Sequence, residues 1–171
     1  MATVAQGAAM IDWNSSVSDI LINPRIPEEE QRRLREVVGQ VGGLDGHLWL
    51  ATSGSSGQMK WVALSKQAIL VSAQGVNAHL QVQAADIWFN PLPIYHVGGL
   101  SIWARSFLSE SQVVPYKGQA GRWQVEGFVE QLIAAKATLT AVVPAQVFDI
   151  VAHKICSPKS VRAVVVGGGR A

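Results

Sequence analysis

The stretch T-S-G-S-S-G-Q-M-K at Thr52–Lys60 combines two glycines, four hydroxyl side chains and a terminal lysine. Glycine accepts positive φ, which lets successive backbone N–H groups turn towards one anion. Hydroxyls add small donors, and lysine adds a mobile positive charge. No acidic residue interrupts the stretch. These features indicate a phosphate-binding loop, and the alternative is a flexible turn that joins two strands.

The segments on either side of this loop have the character of short strands. His47–Ala51 precedes it and Lys60–Leu64 follows it, so the loop is predicted to connect a β-hairpin. Lys60 stands three residues after Gly57 and leads into a strand, whereas the lysine of a Walker A loop directly follows glycine and opens a helix. The G-x-S-x-G and S-x-x-K patterns of nucleophilic serines are also not matched.

Helices and strands alternate along most of the chain. Residues 1–24 are expected to be irregular, after which Pro27 opens a helix that ends at Gly42-Gly43. The arginines of this helix either bind an anion or form a solvated face with internal ion pairs. Ser65 is predicted to cap a helix that extends to about Ala85. Further helices are expected at 100–108, 123–136 and 144–153, and further strands at 87–93, 113–116, 138–143 and 161–166. This alternation predicts an α/β fold with a mixed or parallel sheet flanked by helices.

Composition limits the class of protein. Of 171 residues, 49% are hydrophobic and 15% are charged, against about 25% charged in an average domain. A disordered chain is excluded, and one domain over residues 1–171 is expected. The shortage of charge suggests that some apolar surface faces a partner, such as a second copy or a missing part of a longer chain.

Charge and cysteine content narrow the expected partners and location. The net charge is +2 without a basic stripe, so no nucleic-acid partner is expected. No apolar run reaches the ~18 residues of a membrane span. Cys156 is the only cysteine, which excludes an intrachain disulfide and favours a reducing compartment. A cytoplasmic protein without a membrane partner is therefore expected.

A second segment, P-L-P-I-Y-H-V-G-G-L-S-I-W-A-R at Pro91–Arg105, carries pocket-forming residues. His96 beside an aromatic residue and two glycines could form a wall where a ligand approaches the backbone. Arg105 lies within an apolar run, where a lone charge is costly without a partner such as a substrate carboxylate. The structural alternatives are a core histidine and an internal ion pair.

The remaining motifs are weaker. V-V-V-G-G-G-R-A at 164–171 is a strand followed by glycines, but the third glycine of a dinucleotide fingerprint is missing, so an unrelated dehydrogenase-like domain ranks last. His153 and Cys156 do not make a zinc site, and no metal ligand is predicted. His47 and His79 are expected to be structural.

The order of the loop at 52–60, L-P-I-Y-H-V-G-G, V-V-P and V-V-V-G-G-G-R-A resembles the N-terminal domain of adenylate-forming acyl-CoA synthetases. The resemblance begins near Ile20. Within this family, N-P-R-I-P, H-V-G-G-L-S-I-W-A-R and the glycine ending are most similar to the o-succinylbenzoate–CoA ligases of menaquinone and phylloquinone biosynthesis. The resemblance implies a reaction in which a carboxylate attacks ATP to give an acyl-adenylate and pyrophosphate, and coenzyme A then displaces AMP. ATP, Mg²⁺ and CoA are the implied substrates and cofactor.

The resemblance also implies roles for individual residues. Lys60 and the loop residues would hold the β- and γ-phosphates, and His96 would separate the acyl group from the nucleotide. Arg105 or a neighbouring hydroxyl is a candidate partner for the succinyl carboxylate. The glycines after the last strand would lie against adenine. The full set comprises catalytic His96 and Lys60; nucleotide-binding Thr52, Ser53, Gly54, Ser55, Ser56, Gly57, Lys60, Gly167, Gly168 and Gly169; and substrate-binding His96, Gly98, Gly99, Ser101 and Arg105.

The chain departs from the family pattern at several points. Met59 replaces the proline that usually precedes the loop lysine, and Ala145 replaces a threonine that often follows V-V-P. Several family features come after the adenine loop and are not among residues 1–171. They are the Thr-Glu pair for magnesium, the ribose-binding aspartate, the hinge and the C-terminal catalytic lysine. We therefore expect a partial N-terminal domain that does not turn over alone. A non-catalytic nucleotide-binding protein of the same family, or a ligase for another acyl or aryl acid, is the alternative.

Overall fold

The computed structural model describes residues 3–4, 11–53, 59–118 and 122–169. The described chain forms two sheets with helices between and outside them. The strands are β1 (Thr3–Val4), β2 (Asp19–Leu21), β3 (His47–Ser53), β4 (Met59–Ser65), β5 (Ile87–Asn90), β6 (Gln112–Pro115), β7 (Leu139–Val142) and β8 (Ala163–Val166). The helices are α1 (Glu28–Gln40), α2 (Lys66–Leu80), α3 (Val97–Ser109), α4 (Val125–Ala134) and α5 (Pro144–Ala152).

The first sheet has the order β1-β2-β3-β4 and is mixed. Strands β1, β2 and β3 are parallel, whereas β3 and β4 form an antiparallel hairpin. Side chains alternate between the two faces of a strand. Accordingly, Trp49 packs with Leu34 and Val38 of α1, while Leu48 and Leu50 pack with α2 and α3 on the opposite face.

The second sheet has the order β6-β5-β7-β8 and is parallel throughout its described strands. On one face, Trp88 and Leu139 pack against Ile102 of α3. On the other face, Phe89 packs against Phe128 of α4, with α5 alongside. Helix α3 therefore lies between the sheets, because its Leu100 and Ala104 belong to the core of the first sheet.

The predicted α/β class, the hairpin and the alternation of strands and helices are confirmed, with three corrections. Residues 1–24 are not wholly irregular, because β2 is a buried strand paired with β3. Helix α2 ends at Leu80 rather than near Ala85, since Gln81 adopts a left-handed conformation with φ 52°. Helix α3 begins at Val97 rather than Leu100, directly after His96. Within the described ranges, none of the helices has the length and apolar character needed to cross a bilayer.

A buried carboxylate joins the amino-terminal ends of three parallel strands. Asp86 accepts hydrogen bonds from Arg162 Nε at 2.9 Å and Nη2 at 2.6 Å, and from the Thr138 hydroxyl at 2.7 Å. Arg162 also donates to the carbonyl of Leu80 at the end of α2. Bidentate charged pairs of this kind are strong and geometrically specific. The hydrogen bond from Arg162 holds the pKa of Asp86 well below its usual value.

Asp86→Asn should lower the free energy of unfolding by about 2 kcal/mol at pH 7, because it removes the charge that Arg162 binds. A lowered folded-state pKa contributes stability that is complete above the ordinary carboxylate pKa and is lost as pH falls below it. The difference between wild type and variant should therefore shrink below about pH 4. Urea unfolding at several pH values measures it.

Arg33→Ala is the matched control, because it breaks the ion pair between Arg33 and Glu29, whose side chains are 70% and 64% exposed. Exposed pairs add little, so this variant should unfold like wild type. Equal stabilities of wild type and Asp86→Asn at pH 7 would contradict the proposed importance of the buried carboxylate.

Candidate functional site

A cavity of about 900 Å³ lies between the first sheet and the carboxyl ends of the parallel strands β7 and β8. Ligands commonly bind at this end of open α/β sheets. Its wall is mostly apolar and includes a few polar groups. The lining residues are Asn23, Ile26, Leu50, Ala51, Val62, Leu64, Leu92, Pro93, Tyr95, His96, Val97, Gly98, Arg105, Ala141, Val142, Val143, Val165, Gly167 and Gly168.

The turn from β5 into α3 forms one wall of the cavity. Asn90, at the end of β5, donates from its side chain to the carbonyl of Gly99 at 3.1 Å and accepts from the Leu92 N–H at 3.0 Å. A Cβ atom on Gly99 would lie 2.5 Å from the Leu92 carbonyl oxygen, which is closer than real Cβ atoms approach. Residue 99 therefore has to be glycine for the turn to close over α3.

His96 ends this turn and precedes the first residue of α3. Its ring lies 4.8 Å from the ring of Tyr95, and both side chains line the cavity. Partial burial lowers the pKa of His96 below its ordinary value, so the imidazole is neutral at neutral pH. A neutral imidazole can act as a wall and as a hydrogen-bonding group beside a negatively charged ligand.

Arg105 reaches the same cavity from α3 and is only 9% exposed. Its Nε and Nη1 atoms have no hydrogen-bond partner among the described residues. The guanidinium carbon lies 5.3 Å from the centre of the Trp88 ring, and burial lowers the pKa of Arg105. The backbone is better supported, because Asn77 and Ser109 both donate to the Arg105 carbonyl. A buried cation with unused donors is suited to an anionic ligand.

The glycines after β8 form the opposite wall. Gly167 donates to the Val142 carbonyl at 3.2 Å, and Gly168 has φ +82°. A Cβ atom on Gly167 would meet nothing within 4 Å, so the backbone there borders open space. Gly169 instead lies against Pro144 and does not line the cavity. A planar group could approach this bare backbone closely.

The hairpin leads towards the cavity, although the middle of the predicted phosphate loop lies outside the described residues. In the hairpin, Thr52 pairs with Lys60 and Ser53 pairs with Met59. Lys60 is exposed. Ala51, one residue before Thr52, lines the cavity. The predicted site residues Gly54, Ser55, Ser56 and Gly57 are those outside the described ranges.

Two predicted substrate residues do not line the cavity. Gly99 is buried beneath the turn, and the Ser101 hydroxyl donates to the Val97 carbonyl within its own helix at 2.6 Å. Conversely, sequence reasoning did not single out Asn23 and Tyr95, which do line it. Tyr95 could have been found from its position beside His96, and Asn23 from its place at the start of the N-P-R-I-P segment.

The described residues provide no evident cluster for a metal ion. His153 contacts the Asp149 carbonyl at 2.7 Å and lies 3.5 Å from Glu126, while Cys156 is exposed. Throughout residues 11–53, 59–118 and 122–169, no group of three His, Cys, Asp or Glu side chains could hold a metal.

A comparison with known families identifies the class of protein to which this fold belongs. The chain belongs to the AMP-binding enzyme family, whose model matches residues 22–171. This confirms the predicted family and fold class.

The chain is similar to ligases of 2-succinylbenzoate. It is 32% identical over 117 residues to the 2-succinylbenzoate–CoA ligase of Escherichia coli (strain K12), with 68% of this chain and 24% of that protein covered. The chain therefore spans about a quarter of the length of the curated relatives it matches.

Solved structures show the same relationship. The complex of Bacillus subtilis o-succinylbenzoate coenzyme A synthetase (MenE) with ATP and magnesium is 25% identical, with a TM-score of 0.64 over 72% of this chain and 25% of that one. The unliganded form of that enzyme matches in fold, with a TM-score of 0.73, 18% identity and coverage of 91% of this chain and 41% of that one.

Gly99→Ala should destabilise the protein by about 2 kcal/mol, because the added methyl group must displace backbone carbonyls. Gly98→Ala is the matched control: its Cβ would meet only the flexible Leu92 side chain at 3.1 Å, and alanine favours the helix. Urea unfolding followed by tryptophan fluorescence compares the two. Equal tolerance of both substitutions would show that the close approach at residue 99 does not constrain the turn.

Proposed function

We propose that this chain forms the phosphate-binding and acyl-binding part of an AMP-forming acid–CoA ligase that acts on 2-succinylbenzoate. One observation carries the proposal: the buried guanidinium of Arg105, the imidazole of His96 and the bare backbone of Gly167 and Gly168 border one largely apolar cavity. The family match and the names of the relatives support the same reaction.

ATP would bind along the hairpin and the glycine turn. Thr52–Gly57 and Lys60 would hold the β- and γ-phosphates, because backbone N–H groups, hydroxyls and an ammonium group favour polyanions. The position of Ala51 in the cavity wall supports this, since the loop starts at the next residue. Gly167–Gly169 would approach the adenine ring, which needs close contact with backbone that carries no side chain.

The acid would occupy the apolar part of the cavity. Leu50, Leu64 and Leu92 offer surface for an aromatic ring. Arg105 would bind the carboxylate that does not react, because its buried guanidinium lies at the cavity wall and carries donors that no described residue satisfies. Gly98, Gly99 and Ser101 would contribute through the shape of the turn and of the first part of α3.

The proposed chemistry has two balanced steps. A carboxylate oxygen attacks the α-phosphorus of ATP, a C–O–P linkage forms, and the bond to the β-phosphate breaks to release pyrophosphate. The thiol sulfur of CoA then attacks the acyl carbon, the acyl–oxygen bond breaks to release AMP, and the thiol proton passes to solvent.

Lys60 would offset the repulsion between carboxylate and triphosphate in the first step, and the neutral His96 would separate the two reactants. Mg²⁺ would enter bound to ATP and would neutralise phosphate charge. The described residues offer it no acidic cluster of their own.

The alternatives differ in what the cavity binds. A ligase for another acyl or aryl acid would bind ATP and a different carboxylate. A non-catalytic nucleotide-binding protein would bind ATP without an acid. Arg105 favours the ligase, because it stands on α3, outside the predicted phosphate loop at 52–60, and its buried charge is suited to a second anion.

Binding of each ligand to the chain, measured by titration calorimetry, tests the proposal. Arg105→Ala should raise the Kd of 2-succinylbenzoate at least about tenfold, as expected for lost hydrogen bonds to a charged group, and should leave the Kd of MgATP unchanged. Lys60→Ala should raise the Kd of MgATP and leave the Kd of 2-succinylbenzoate unchanged. Arg35→Ala, at an exposed position of α1, is the control that should change neither.

The pattern of results separates the three possibilities. Binding of MgATP without any aryl acid would support the nucleotide-binding alternative, and preference for another aryl acid would replace the substrate. If Arg105→Ala and Lys60→Ala weakened both ligands equally, the assignment of separate acyl and phosphate ends would be wrong.

A further inference from the structure

Trp88 lies beneath Arg105 and outside the cavity wall. Its side chain is fully buried on β5, between β6 and β7. The Arg105 guanidinium carbon is 5.3 Å from the ring centre. The indole Nε1 atom, like Nε and Nη1 of Arg105, has no hydrogen-bond partner among the described residues. Two adjacent side chains thus combine a buried cation with an aromatic face and unused donors.

The electrostatics of this pair follow from its burial. Arg105 takes part in none of the ion pairs that join the described residues. A guanidinium removed from water needs compensation, and the negative face of an indole is the strongest aromatic partner for a cation. The attraction increases when the pair is desolvated. Among the described residues, the ring of Trp88 is therefore the nearest group that stabilises the charge of Arg105 before an acid binds.

Trp88 also supports the side chain of Arg105 mechanically. Asn77 and Ser109 fix only the main chain of Arg105, by hydrogen bonds of 2.8 and 2.9 Å to its carbonyl oxygen. Neither hydrogen bond constrains the side chain of Arg105. Trp88 is held in a central strand by pairing with both neighbours, so its ring offers a rigid plane on which the guanidinium can rest.

We propose that Trp88 is a positioning residue, which holds the guanidinium of Arg105 at the cavity wall and thereby sets the preference for acids that carry a second carboxylate. The inference rests on the proposed function, in which Arg105 binds that carboxylate. Trp88 itself touches neither the substrate nor the reacting atoms. By holding the Arg105 side chain in place beforehand, Trp88 reduces the conformational entropy that this side chain loses when the acid binds.

The test compares 2-succinylbenzoate with two analogues that each lack one carboxylate, 4-oxo-4-phenylbutanoate and 2-butanoylbenzoate. Arg105→Ala should leave the Kd of one analogue unchanged. That analogue is the one that lacks the carboxylate bound by Arg105. The selectivity ratio is the Kd of this analogue divided by the Kd of 2-succinylbenzoate. Trp88→Phe should reduce the ratio about threefold and Trp88→Leu about tenfold, in line with the strength of desolvated cation–π contacts.

Two controls separate positioning from core packing. Trp123→Phe removes an indole from the aromatic cluster on the opposite face of the sheet and should leave the ratio unchanged. In an Arg105→Ala background, Trp88→Phe should no longer alter the ratio, because the two residues act through one contact. Equal weakening of all three acids by Trp88→Phe, with an unchanged ratio, would overturn the proposal.

A measurement without any acid keeps the proposal testable if Trp88→Leu does not fold. In ¹⁵N-labelled protein, the Nε–H proton of Arg105 should show an upfield ring-current shift that Trp88→Phe reduces. An unshifted resonance in the wild type would overturn the proposal. A shifted, Trp88-dependent resonance together with no binding of 2-succinylbenzoate would support the contact while refuting the proposed function.

Discussion

The tight return of the chain from β5 into α3 is the constraint on which the cavity depends. The turn brings the Pro93 and Leu92 carbonyl groups against residue 99, where there is room only for a hydrogen atom. Asn90 completes the arrangement, since its amide joins the end of β5 to the first turn of α3. Because His96 ends this turn, its position in the cavity wall follows from the same backbone path.

Helix α3 links the two sheets and also carries the charge of the site. Leu100 and Ala104 pack into the core of the first sheet, whereas Ile102 packs into the core of the second. The middle of this helix is mostly buried between the sheets, so Arg105 is desolvated by the architecture itself. The apolar contacts that hold the sheets together thus place this guanidinium in a low-dielectric environment, which would strengthen its attraction to an anion.

The sequence could predict those features that depend on local pattern. The glycine–hydroxyl loop with strands on both sides predicted the β3–β4 hairpin, and apolar runs between turn residues predicted β5 to β8. The positions of His96, Arg105 and Gly167 in one cavity agree with their predicted roles, which for His96 and Arg105 came from local sequence as well as from the family resemblance, and for Gly167 from the resemblance. Those roles remain predictions, and Gly54–Gly57 lie outside the described residues.

Features that depend on distant contacts could not be predicted. Strand β2 has three residues and no clear alternation, and it exists because Ile20 pairs with Trp49 and because Lys66 binds Asp19 and nearby carbonyls. The end of α2 depends on Arg162, which binds the Leu80 carbonyl from far along the chain. The sequence predicts only a core position for Trp88, because none of its neighbours in the chain indicates that a cation lies above its ring.

Strand β5 gives its alternate side chains to different tasks. Trp88 and Asn90 face α3, which carries one wall of the cavity, whereas Phe89 faces α4 and the core on the other side. A shift of one residue in the pairing of this strand would exchange the two sets, so the cavity cannot assemble on a misaligned sheet. Any ligand of this cavity therefore binds only the native register, and by mass action it raises the population of correctly folded molecules as its concentration exceeds its Kd.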